Sequence, residues 1–184
     1  DLNDDGKLDI VVGSSSAPNR INVYINTTPD GANNITFANN SIPTPYTVQG
    51  SYPRSLDLAD INGDGHLDVA VAMQNGQTFE VFLNRGDNTG GLQTTSTVFT
   101  IFQTAIFPLN LLLRDINGDQ KPDVVVSWSN SAKFSVLLNT TQPQSSTPSF
   151  SAPTHFSMGG DAAWSFDVGD LNGDAKLDIV LVHY

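Results

Sequence analysis

The residues with most chemistry in this 184-residue sequence are oxygen carriers, and they recur in one arrangement. It is clearest in "DINGDGHLD", where Asp60, Asn62, Asp64 and Asp68 stand at positions 1, 3, 5 and 9 of a short polar stretch. Three carboxylates so close together repel one another unless a positive charge sits among them. A set of oxygens with no sulfur donor suits a hard cation. Ca²⁺, about 2.3–2.6 Å from its ligands, fits this flexible shell better than Mg²⁺, which demands a tighter octahedron and keeps its waters. The backbone carbonyl of position 7 would complete the shell. His66 is therefore expected to act through its carbonyl and not its imidazole.

The pattern occurs four times, beginning at residues 1, 60, 115 and 170. The other copies supply Asp1, Asn3, Asp5 and Asp9; Asp115, Asn117, Asp119 and Asp123; and Asp170, Asn172, Asp174 and Asp178. Position 7 is Lys7, Lys121 and Lys176 in these copies, as expected where only a carbonyl is used. An EF-hand loop opens similarly but needs a bidentate Glu at position 12 and flanking helices. Position 12 is Val12, Val71, Val126 and Leu181, so that reading fails in every copy. A metal-free Asp/Asn turn would explain one copy, but four in register speak for a cation.

The copies are not equal. Position 6 needs a sharp turn that suits glycine, and it is Gly6 and Gly65 in two copies but Gln120 and Ala175 in the others. The first copy has Asp4 where the rest have Gly63, Gly118 and Gly173, and Asp1 is the first residue of the chain. The expected ranking puts 60–68 first, then 170–178 and 115–123, with 1–9 last.

The elements around the loops repeat as well. Each loop runs into an apolar stretch, "DIVVG", "DVAVAM", "DVVVSW" and "DIVLVHY". "VYIN", "VFLN" and "VLLN" follow the first three, ending at Asn26, Asn84 and Asn139. "RSLDLA", "LNLLLR" and "WSFDVG" precede the last three, with the alternation of half-buried strands. A vaguer fourth strand is expected around Thr95–Gln103 and Ser149–Phe156. Eighteen of the nineteen acids are Asp and only Glu80 is Glu, a bias towards loops and strands over helices. Tandem units of four antiparallel strands make an all-β fold of β-propeller blades. The repeats read as 1–59, 60–114, 115–169 and a partial 170–184 within one domain. About three blades cannot close a ring of the usual four to eight, so an open piece of a larger propeller is expected. A β-sandwich with a duplicated hairpin is the alternative.

These residues resemble the FG-GAP/VCBS repeats of integrin-α-like propellers, whose calcium loop has the form D-x-[DN]-x-D-G-x-x-D between two strands of a blade. The resemblance spans essentially the whole chain and implies the sixteen side-chain ligands above. The Phe-Gly and Gly-Ala-Pro signatures are poorly kept ("GSYPRSLDLAD", "GGDAAWSFDVGD"), which suits the looser repeat class better than a true integrin. It also implies a seven-bladed ring for the whole propeller. Calcium affinity, in turn, leads to the expectation of an extracellular or cell-surface recognition scaffold, since weak sites fill outside the cell and stay empty in resting cytosol. Propellers of this general type accompany lyase or phospholipase domains, so a non-catalytic module beside an enzyme is a further alternative.

Within the chain itself no enzymatic constellation emerges. There is no Cys, and His66, His155 and His183 fall in different phases of the repeat. Glu80, in "TFEVFL", is expected to face solvent. The net charge of −11 argues against nucleic acid and anionic membrane surfaces, and no run is long enough to span a membrane. The expected partner is a protein or a glycan. For a glycan, Trp128, Trp164, Tyr46 and Tyr52 are the stacking candidates, although the two Trp are more simply packed between blades. The four N-x-[ST] sequons, at Asn26, Asn34, Asn39 and Asn139, are close to what composition scatters by chance.

Overall fold

A computed structural model describes residues 1–16, 18–39, 46–101, 107–129, 131–160 and 163–183, and the side chains of Asn39, Ala163, Trp164 and His183 lie outside the described part. Among the described residues there are strands and turns and no helix. The strands are β1 (Ile10–Ser14), β2 (Arg20–Asn26), β3 (Phe37–Asn39), β4 (Tyr46–Thr47), β5 (Pro53–Ala59), β6 (Asp68–Met73) and β7 (Thr78–Phe82). They continue as β8 (Thr97–Thr100), β9 (Pro108–Arg114), β10 (Asp123–Trp128), β11 (Lys133–Leu137), β12 (Thr154–Ser157), β13 (Ala163–Gly169) and β14 (Asp178–His183).

Two four-stranded antiparallel meanders are complete, β5-β6-β7-β8 and β9-β10-β11-β12. In the first sheet β1 and β3 flank β2, and β4 also pairs with β2. The last consists of the hairpin β13-β14. Each polar loop therefore joins the first and second strands of a blade: 60–68 leads from β5 to β6, 115–123 from β9 to β10, and 170–178 from β13 to β14. The vague fourth strand proves short: Thr97–Thr100 lies inside the expected stretch, and Thr154–Ser157 overlaps the end of the other and runs one residue past it. This is the architecture of open β-propeller blades.

Neighbouring blades pack face to face, which explains why the strand after each loop is apolar without alternation. All six residues of β6 are buried, and so are all six of β10. From β6, Val69, Val71 and Met73 join Ile21, Val23, Ile25, Phe82 and Leu92 in the core between the first and second sheets. Ala70 and Ala72 face the other way, joining Phe79, Leu111, Leu113, Val124, Val126 and Trp128. Each such side chain removed from water contributes about 1.5–3 kcal/mol. Phe79 stacks on Phe99 (4.8 Å between centroids) and meets Phe150 of the next blade edge-on (5.3 Å). The inner strands are pinned by polar side chains too. Asp57 on β5 accepts from the Leu113 amide and from Arg114 Nη1 on β9, both at 2.9 Å.

Two-sided packing corrects two expectations, for Glu80 and Tyr46, and agrees with the simpler reading of Trp128 as core. Glu80 does not face solvent. It is fully buried, accepting from the Gln49 and Gly50 amides (3.0 and 2.6 Å) and from Ser96 Oγ (2.8 Å). Alternation puts Glu80 opposite Phe79 and Val81, but that opposite face also carries a neighbouring segment. Trp128 is wholly buried and donates Nε1–H to Ser135 Oγ at 2.8 Å, so it is core and offers no stacking platform. Tyr46 is likewise buried, its hydroxyl accepting the Leu92 amide. Tyr52 alone of the described aromatic candidates is exposed.

Candidate functional site

The four loops fold alike because their own side chains replace the ladder that the backbone lacks there. Position 1 acts as the hub. Asp60 Oδ1 accepts the Asp64 amide (3.0 Å) and Oδ2 the Gly65 amide (2.8 Å). Asp1, Asp115 and Asp170 do the same towards positions 5 and 6 of their own loops. These donors hold the Asp170 carboxyl below the usual range, the Ala175 amide contributing most. Position 5 accepts the amide of position 7, as Asp64 Oδ1 does from His66 at 3.0 Å. Position 3 reaches across to position 5 through its amide group, Asn62 Nδ2 donating to Asp64 Oδ2 at 2.9 Å.

To turn this tightly the chain enters left-handed conformation at position 6 in every copy: Gly6 (φ +83°), Gly65 (+94°), Gln120 (+68°) and Ala175 (+64°). Position 4 does so as well, Asp4 (φ +60°) matching Gly63, Gly118 and Gly173. Gln120, Ala175 and Asp4 thus carry a Cβ where the backbone favours none.

Position 9 lies deeper and does different work. Asp68 is fully buried; its Oδ2 accepts the Ile61 amide (2.9 Å) and its Oδ1 the Asn84 amide (2.7 Å). Asp123 repeats this with Ile116 (3.0 Å) and Asn139 (2.8 Å), and Asp9 with Leu2 and Asn26 (both 2.7 Å). Burial pushes the Asp68 carboxyl up to about 7; the Asn84 and Ile61 amides pull it back, and the Asp64 and Asp60 carboxylates add to the rise. Burial raises Asp123 likewise. Asp178 Oδ2 accepts from Leu171 at 3.0 Å in the fourth, exposed loop.

Side chains at position 7 turn away from the loop centres. Lys7 Nζ lies 3.7 Å from Asp30, Lys121 Nζ donates to the Thr141 carbonyl (3.0 Å), and His66 Nδ1 is 2.8 Å from Asp4 of the preceding loop. What remains at position 7 for a ligand is its carbonyl, shared by Lys176. At position 3, the side-chain oxygens of Asn62, Asn117 and Asn172 accept the amide of position 5. Asn3 Oδ1 is buried and has no hydrogen-bond partner. An all-oxygen donor set with one buried oxygen left over fits a hard cation. Among the described residues, no three His, Asp or Glu side chains converge as they stand, because the carboxylates are held by backbone amides. In loop 60–68 each bonded side-chain oxygen accepts one hydrogen bond and keeps a second lone pair, whereas Asp115 Oδ1 and Asp170 Oδ1 each accept two amides.

The repeat also has a counterpart among known families. The family model of the FG-GAP-like repeat matches residues 1–71, 60–126 and 115–181, each match running from one Asp loop through the next. The chain belongs to the FG-GAP-like repeat family. No curated protein matches it.

Within the FG-GAP-like repeat, the functional residues that loop spacing alone misses are the asparagines at or just beyond the end of each third strand. Asn84 donates to the Leu67 carbonyl of its own loop (3.2 Å) and to the Leu2 carbonyl of the preceding one (2.9 Å). Asn139 donates to the Ile61 carbonyl (2.9 Å) and Asn26 to Leu8 (3.2 Å). The recurring "VYIN", "VFLN" and "VLLN" are the sequence signal for them. Asn139 also begins a sequon, and its buried side-chain amide donates to the Ile61 carbonyl and accepts from the Thr141 amide.

Proposed function

We propose that this FG-GAP-like chain is a calcium-binding propeller module that serves as a non-catalytic recognition scaffold outside the cell. The observation that carries the reading is the recurrence of one oxygen set, at positions 1, 3, 5 and 9, in four loops of one fold, with Asn3 Oδ1 buried and unpartnered in the first. In the second loop the side chains of Asp60, Asn62, Asp64 and Asp68 with the His66 carbonyl would hold the ion. The ion supplies positive charge, offsetting the carboxylates that burial and mutual proximity otherwise disfavour. The chain's own amides orient the carboxylates, which lowers the ordering cost of binding without removing it.

Recognition follows from rigidity. Propeller blades are rigid, loops on rigid scaffolds carry contacts, and a cation in each loop fixes its shape. The partner is a protein or a glycan; with Trp128 and Tyr46 buried, a protein surface is the better-supported choice. Extracellular placement rests on affinity, since sites of about 0.1 mM fill in millimolar calcium and stay empty in resting cytosol. Isothermal titration of the metal-free chain with CaCl₂ tests this. Saturable binding of several ions per chain at about 0.1–1 mM, the order of extracellular modules, with Mg²⁺ far weaker, is expected. No heat and no saturation up to about 10 mM would end the proposal.

A further inference from the structure

The loops of successive blades are not independent. From the first loop, the Leu2 amide donates to Asp9 Oδ2 (2.7 Å) while the Leu2 carbonyl accepts from Asn84 Nδ2 (2.9 Å). Asn84 gives its own amide to Asp68 Oδ1 (2.7 Å), and Asp68 Oδ2 accepts the Ile61 amide (2.9 Å). The Ile61 carbonyl accepts from Asn139 Nδ2 (2.9 Å), whose amide donates to Asp123 Oδ1 (2.8 Å). Asp123 Oδ2 closes the run on the Ile116 amide (3.0 Å). One line of hydrogen bonds thus passes through three Asp loops, alternating a position-9 carboxylate, the backbone N–H and C=O of position 2, and an asparagine just beyond the third strand of a blade.

This line is built to transmit. Asn84 and Asn139 are almost wholly buried, as are Asp68 and Asp123. Bonds shielded from water are strong and polarise one another along a chain. Neither asparagine can swing: the Gly86 amide holds Asn84 Oδ1 (3.0 Å), and the Thr141 amide holds Asn139 Oδ1 (2.9 Å). A second strap joins the second and third blades, where Asn62 Nδ2 donates to the Ser145 carbonyl (3.2 Å) and the Gln144 amide to the Asn62 carbonyl (2.7 Å).

We propose that Asn84 and Asn139 are positioning residues that couple neighbouring Asp loops, so that a cation in one loop raises the affinity of the next. The proposal rests on the calcium reading above. A cation bound to Asp68 fixes that carboxylate, and with it the Asn84 amide and the Ile61 peptide group. Asn84 then holds the position-2 carbonyl of loop 1–9, and the Ile61 carbonyl orients Asn139 and so Asp123. The neighbouring loops have less ordering left to do when their own ion arrives.

Through-space charge predicts the opposite sign, which makes the two separable. A filled second loop carries three carboxylates and one Ca²⁺, a net −1. Emptied by Asp64→Ala it keeps two carboxylates, a net −2, and attracts cations to its neighbours slightly more strongly. Asp64 is outside the relay, its oxygens accepting only from His66 and Asn62. The experiment is a calcium titration of the full chain followed by amide NMR at Gly6, Gly65, Gln120 and Ala175, one reporter per loop. With Asp64→Ala, loops 1–9 and 115–123 are expected to weaken about fivefold or more. Loop 170–178, which none of the bonds just named reaches, is expected to stay unchanged and serves as the internal control. Adding Asn84→Ala should abolish the effect of Asp64→Ala on loop 1–9 and leave that on 115–123. Unchanged or tighter neighbours beside intact binding elsewhere would overturn the coupling alone. Absence of any calcium-dependent shift at all four reporters would overturn the calcium reading and the coupling with it. Because Asp64→Ala leaves both asparagines in place, the result does not depend on whether Asn84→Ala folds.

Discussion

At the scale of single residues the loops carry strain that two copies have not shed. Gln120 and Ala175 sit at φ +68° and +64°, where glycine occupies the same place in the other loops. A Cβ there costs about 1–2 kcal/mol, while glycine costs about 0.5–1 kcal/mol more than alanine in lost chain entropy. The strain is the larger number, so Gln120→Gly and Ala175→Gly are each expected to stabilise the chain by about 0.5 kcal/mol. Gly65→Ala should destabilise it by a similar or larger amount, and for backbone reasons alone, because nothing stands within 4 Å of a Cβ there. Urea midpoints of the three variants measured in chelator give the comparison; a lowered midpoint for both glycine variants would contradict it. The need for a turn residue at position 6 was legible in the sequence, since two copies spell glycine. The setting of Glu80 was not. In "TFEVFL" the alternation reports which face a side chain takes, but it cannot report that a second segment, Gln49–Gly50, brings two amides onto that face.

Among elements, the legible parts were those set by local pattern. Continuous apolar runs in β6 and β10 meant strands covered on both faces, and the regular burial of every second residue in β2 followed its alternation. Even the residues of the loop could be read, because their spacing is itself the geometry. The division of labour inside the loop was hidden, since it depends on what lies in the next strand and the next blade. Position 5 and position 9 look equivalent as carboxylates, yet Asp119 is exposed and Asp123 fully buried beneath two amides from different elements. Asp123→Ala would strand the Ile116 and Asn139 amides and is expected to cost about 2–4 kcal/mol even without calcium. Asp119→Ala gives up solvent-exposed bonds and should cost under about 1 kcal/mol. Both should abolish binding at loop 115–123. Chemical denaturation in chelator, paired with titration of that loop, separates the roles; equal losses of stability would refute the distinction.

For the molecule as a whole, charge outweighs any one contact. The chain carries a formal −11, and twelve of its acids stand at the ligand positions of the four loops; four Ca²⁺ would bring it to −3. Self-repulsion of that size works against compaction. At millimolar calcium and a dissociation constant near 0.1 mM, each site would contribute about 1.4 kcal/mol. Four sites would together raise the midpoint of thermal unfolding by about 10 °C or more. Salt offers an independent reading of the same physics. Without calcium, raising NaCl screens the exposed loop carboxylates and should raise the midpoint; with calcium bound, little repulsion remains to screen and the curve should be nearly flat. The two salt series should therefore converge at high NaCl and diverge at low. Parallel series would mean that the carboxylates are balanced by the amides of their own loops, with no part left for a cation.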